Sequence, residues 1–113
     1  MGQCHCAACQ RVGGGGPHYF ELVDAKAFVW TDGTPRSYMR PDLENAVTRF
    51  FCGQCGTQIV TQRQDQSDLV LKVGSLDDVS HFSPRVALCH AQAQPFHSVP
   101  DGVRVFEAFP PQR

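Results

Sequence analysis

Apolar and polar residues alternate in short runs along this chain, and no run sustains a helical period. The segments 18–23 (HYFELV), 27–30 (AFVW), 36–40, 46–52, 57–63, 69–75, 85–91 and 103–109 combine β-branched or aromatic residues with period-two spacing, which predicts strands. Turn-forming stretches separate several of them: TDGTP at 31–35, RPDLEN at 40–45, CGQCG at 52–56 and VPDG at 99–102. Helix is expected only as single turns, over AACQRV at 7–12 and over SLDDVSHF at 75–82, where Ser75 is placed to cap. The pattern predicts one small, mainly β domain over 1–113, mostly antiparallel, with its thiols on turns.

Composition narrows this picture. The chain has 113 residues, room for one core, with 42% hydrophobic and 19% charged residues, values of a globular rather than a disordered chain. A formal net charge of -1 gives no electrostatic reason to expect nucleic acid or an anionic membrane as partner. No stretch approaches the roughly 18 apolar residues of a membrane span, and no charged-then-apolar leader opens the sequence. A cytoplasmic location is therefore expected, where closely spaced cysteines serve more often as metal ligands than as disulfides.

The candidate chemistry lies in two thiol clusters. CHCAACQR places Cys4, Cys6 and Cys9 within six positions, directly before the glycine run at 13–16. FCGQCG places Cys52 and Cys55 on a knuckle, with glycines that let a tight turn aim both sulfurs at one metal. One reading joins Cys6 and Cys9 with Cys52 and Cys55 in a closed four-thiolate site. The other takes Cys4, Cys6 and Cys9 as three ligands from one loop, leaving a fourth zinc position open as catalytic sites do. A thioredoxin-like redox pair is disfavoured because no βαβ pattern surrounds either motif. Cys89, in an apolar run, reads as a packing thiol. His5 is expected to point away from the metal, and His18, His81, His90 and His97 read as surface or packing residues.

CHCAACQR, FCGQCGT at 51–57, KVGSLDD at 72–78 and QPFHSVPDGVRVFE at 94–107 together resemble the glutathione-dependent formaldehyde-activating enzyme and centromere protein V family. The resemblance implies an Mss4-like zinc-binding fold of small, coiled antiparallel sheets. It implies a catalytic zinc on Cys4, Cys6 and Cys9, and half of a structural zinc site on Cys52 and Cys55. The implied activity is that of a carbon–sulfur lyase acting on a thiol–aldehyde adduct such as S-hydroxymethylglutathione. Two departures stand out. The family's earlier CxC hairpin is absent, so a shortened variant or a start placed too far downstream is expected. Ala87 also stands where relatives frequently carry histidine.

Other residues are less informative. No general base is assignable. Asp77 and Asp78 read as solvated or capping carboxylates, and Arg11 and Arg49 are candidates to pair with glutathione carboxylates by charge type alone. The alternative to an enzyme is a non-catalytic zinc-knuckle binding module or an inactive shortened family member.

Overall fold

The computed structural model describes residues 1–110. The chain forms two compact units, one of residues 1–20 with the chain from Ser80 on, the other Glu21–Val79. Both are built mainly of strands, the class the alternation predicts.

The first unit begins with β1 (Gly2–Cys4), followed by the short helix α1 (Ala7–Val12) and the start of β2 (His18–Asp24), which ends in the second unit. β1 pairs antiparallel with β2, Gly2 facing Phe20 and Cys4 facing His18. On its other edge β1 pairs parallel with β7 (Val86–Leu88), and β7 pairs parallel with β8 (Arg104–Val105). These two parallel ladders are exceptions among pairings that are mostly antiparallel, as expected. They join segments far apart in sequence, so no hairpin turn constrains their direction.

Gly2 is required where it stands. A Cβ there would lie 2.8 Å from both Phe20 Cζ and Val86 Cγ2. The interior is unusual for so small a unit. Besides Phe20 and Ala87 it buries Cys4, Cys9, Cys89, Gln3 and His5. Buried polar and thiol groups are the informative departure from an apolar core.

The second unit is an antiparallel meander of β3 (Arg36–Met39), β4 (Thr48–Phe51), β5 (Gln58–Gln62) and β6 (Asp68–Lys72). Ala46, Val60, Leu69 and Val73 form its buried apolar positions. A register shift between Phe50 and Phe51 precedes the β4–β5 turn that carries the second cysteine motif.

Several predicted elements are corrected. Residues 27–30 form no strand: a 3-10 turn covers Ala25–Ala27, and Phe28 and Trp30 then meet edge to face at 4.9 Å. Side-chain packing there replaces a ladder. The turn expected over 75–82 lies earlier, at Val73–Ser75, because the Ser75 hydroxyl donates back to the Lys72 carbonyl at 2.7 Å. Strands expected over 85–91 and 103–109 shrink to Val86–Leu88 and Arg104–Val105. The first stops where Cys89 turns left-handed. No helix among the described residues is long and apolar enough to cross a membrane.

Candidate metal centre

The spacing of the first motif is explained by β1 and α1 together. Cys4 is the last residue of β1. Cys6 is the N-cap of α1, with extended backbone (φ -63°, ψ 155°), and its sulfur accepts the Cys9 N–H at 3.3 Å. Cys9 is the third helical residue, and N-cap and N3 side chains meet at a helix start. A strand end followed by one helical turn therefore converges all three sulfurs, which lie within 4.8 Å of one another.

That geometry suits zinc. Four sulfurs about 2.3 Å from a tetrahedral ion stand roughly 3.8 Å apart, within a small side-chain adjustment of what is seen. The protonation balance points the same way. Hydrogen bonding with Cys6, followed by burial, pushes the Cys4 thiol up to about 12. Hydrogen bonds with Cys4 and Cys6, then burial, push Cys9 up as well. Sulfurs this close cannot all carry charge unless a cation sits among them, and a cation inverts the balance.

The loop after α1 is held in place. Gly13 N–H donates to the Cys9 carbonyl at 2.9 Å and Gly15 N–H to that of Gln10 at 2.7 Å. Gly14 and Gly15 have φ of 79° and 108°, values that favour glycine, which gives the glycine run a local purpose. The Gln10 amide donates to the carbonyls of His5 (2.6 Å) and Gln92 (2.8 Å), and the Gln92 side-chain oxygen accepts the Ala7 N–H at 2.9 Å.

Next to the thiols runs a chain of polar groups. Gln3 Nε2 lies 2.9 Å from His5 Nε2, His5 Nδ1 lies 2.9 Å from His97 Nδ1, and His97 Nε2 lies 2.8 Å from the Gly15 carbonyl. Gln94 N–H donates to His97 Nδ1 at 3.2 Å, so that nitrogen is the acceptor and His97 carries its proton on Nε2. His5 then carries its proton on Nδ1 and accepts from Gln3 on Nε2. Both rings are neutral in this arrangement. Burial, reinforced by His97 and His90, lowers the His5 pKa from its ordinary value.

Cys52 and Cys55 stand on the β4–β5 turn of the second unit. Cys52 N–H donates to the Thr57 carbonyl at 2.9 Å, Gly56 N–H donates to the Cys52 carbonyl at 2.8 Å, and Gly56 has φ 78°. The Cys52 sulfur accepts the Gln54 N–H at 3.4 Å. The Cys55 sulfur is exposed, 3.0 Å from the Thr57 hydroxyl. Hydrogen bonding, first from the Thr57 side chain, lowers its pKa. Among the described residues, the group of three or more side chains that could hold one metal ion is Cys4, Cys6 and Cys9.

His5 is directed to Gln3 and His97, as expected of a residue turned from the metal. His90 and His97 pack on His5, with ring centroids 5.3 and 5.0 Å away. Sequence reasoning missed Gln3, Gln10 and Gln92, whose partners were not readable from any spacing. It also took Cys89 as a packing thiol. Cys89 is buried, as that reading has it, and it follows directly on Leu88, the β7 residue paired with Cys4.

A family model described as glutathione-dependent formaldehyde-activating enzyme matches residues 1–92. A search of curated proteins gave no match.

Proposed function

Because the chain belongs to the glutathione-dependent formaldehyde-activating enzyme family, we propose that it is a zinc-dependent carbon–sulfur lyase acting on an adduct of a thiol and an aldehyde. The observation that carries this reading is the convergence of Cys4, Cys6 and Cys9 within 4.8 Å. In this reading the three thiols hold one zinc ion, and S-hydroxymethylglutathione represents the substrate class. Bound there, zinc supplies a Lewis acid that favours the thiolate form of a substrate sulfur and polarises an aldehyde oxygen. Three thiolates donate more electron density than three imidazoles, which favours thiol chemistry over peptide hydrolysis.

The residues around the cluster have distinct tasks. The Cys6 sulfur both ligates and caps α1, so the helix start and the metal site form together. The glycine loop, fixed at Gly15 by His97, borders the thiols. Arg11, exposed in the last turn of α1, offers a cation for a glutathione carboxylate. In this reading the reacting centre needs no ligand from Cys52 or Cys55, since one loop supplies its three thiols. A reducing, cytoplasmic setting keeps all of these thiols available.

The test is exchange spectroscopy of formaldehyde with glutathione, with and without the zinc-loaded protein. Accelerated exchange between free formaldehyde and the hydroxymethyl thioether, abolished by Cys4→Ser/Cys9→Ser, supports the reading. Exchange at the uncatalysed rate with a full zinc complement contradicts it.

A further inference from the structure

The sixth cysteine has no role in the reading above, yet the fold holds it at the thiol cluster. β7 runs parallel to β1 with Leu88 opposite Cys4, and the His5 N–H donates to the Leu88 carbonyl at 2.9 Å. The next residue is Cys89. Its N–H donates to the Ala108 carbonyl at 3.2 Å and its carbonyl accepts the Gln92 N–H at 3.0 Å, so its backbone is pinned on both sides.

That backbone is left-handed, φ 55° and ψ 39°. Asp65 is the other non-glycine residue with positive φ among the described residues. Glycine or asparagine adopts this conformation more easily than cysteine, and strained backbone retained in a fold points towards function. The turn directs the side chain inward. Cys89 is 2% exposed and follows directly on Leu88, the β7 residue paired with Cys4. Its sulfur is not part of the group whose members all lie within 4.8 Å of one another. The first unit thus holds four thiols in a three-plus-one arrangement.

We propose that Cys89 is the fourth, displaceable ligand of the metal held by Cys4, Cys6 and Cys9, closing the site until a substrate thiol replaces it. The proposal rests on the three-cysteine site proposed above. In the exchange, the bond from the metal to the Cys89 sulfur breaks and a bond to the incoming sulfur forms. The incoming thiol gives up its proton, and Cys89 takes one up as it leaves. Four sulfur ligands are present before and after, and no oxidation state changes. The arrangement lets one cluster meet both the closed and the open descriptions of a thiolate site. It also selects for thiol-bearing ligands, since an oxygen ligand must displace a thiolate from a soft, sulfur-rich metal.

The test uses X-ray absorption at the zinc edge on the full chain, with cobalt(II) substitution as a second measurement. Four sulfurs at about 2.3 Å are expected in the parent without substrate. Cys89→Ser is expected to show three, and its cobalt(II) form to lose about a quarter of the sulfur-to-metal charge-transfer intensity, one bond in four. Saturating glutathione is expected to leave the parent's sulfur count unchanged while making Cys89 alkylatable by iodoacetamide. Three sulfurs plus a light atom in the parent would overturn the role of Cys89 and leave the three-cysteine site standing. Absence of bound zinc would overturn both. If Cys89→Ser does not fold, the parent's sulfur count and its glutathione-dependent alkylation decide alone.

Discussion

His5 Nδ1 and His97 Nδ1 lie 2.9 Å apart, and their hydrogen bond ties the residue between two cysteines to the carbonyl that fixes the glycine loop. Replacing His97 with alanine leaves the buried His5 N–H without an acceptor and the Gly15 carbonyl without its donor. An unpaired buried donor costs about 1–3 kcal/mol. The expected outcome is a lower urea midpoint in His97→Ala, together with faster amide exchange at residues 14–16.

The same pair predicts a pH dependence. Folding lowers the His5 pKa from 6.5, so the unfolded chain binds a proton there more readily than the folded one. The His5 contribution is then fully present above about pH 6.5 and is lost as pH falls towards the lower folded value. Denaturant titrations of metal-free protein between pH 7.5 and 5 should show this decline. Nitrogen-15 spectra at pH 7.5 should place the proton on Nδ1 of His5 and on Nε2 of His97.

Cys55 should differ chemically from the clustered thiols. It is exposed and its pKa is lowered, chiefly through Thr57, whereas Cys4, Cys9 and Cys89 are buried with raised values. The thiolate is the reactive form. Limited iodoacetamide at pH 7.5, read by peptide mass spectrometry, should label Cys55 well before those three. Thr57→Val should slow that labelling severalfold.

Ala87 offers a test of packing under the site. It is 0% exposed on β7, with β1 on one side and β8 on the other. A histidine placed here overfills this position, at about 1–3 kcal/mol. Ala87→His should therefore lower the melting temperature without raising activity.

Much of this architecture was legible because strand patterning and turn chemistry are local. The alternation in 18–23, 57–63 and 69–75 marks β2, β5 and β6, and the CxCxxC spacing marks Cys4, Cys6 and Cys9 as one candidate cluster, with a helical turn over 7–12. What stayed hidden depends on contacts across the chain. β1 is only three residues long, and its partners begin at His18 and Val86. His5 and His97 are 92 positions apart, Gln10 and Gln92 82 apart, and no periodicity announces either pair. Cys89 sits in a run that reads as strand, and the left-handed turn that brings it to the cluster leaves no trace in hydrophobicity.

The central claim is that Cys4, Cys6 and Cys9 form a metal site without help from the knuckle. Its most direct test is zinc per chain by native mass spectrometry in the parent, in Cys52→Ser/Cys55→Ser and in Cys4→Ser/Cys9→Ser. One zinc retained in the knuckle variant and lost in the cluster variant is the predicted result. Zinc lost on removing Cys52 and Cys55, or kept after removing Cys4 and Cys9, would contradict the account.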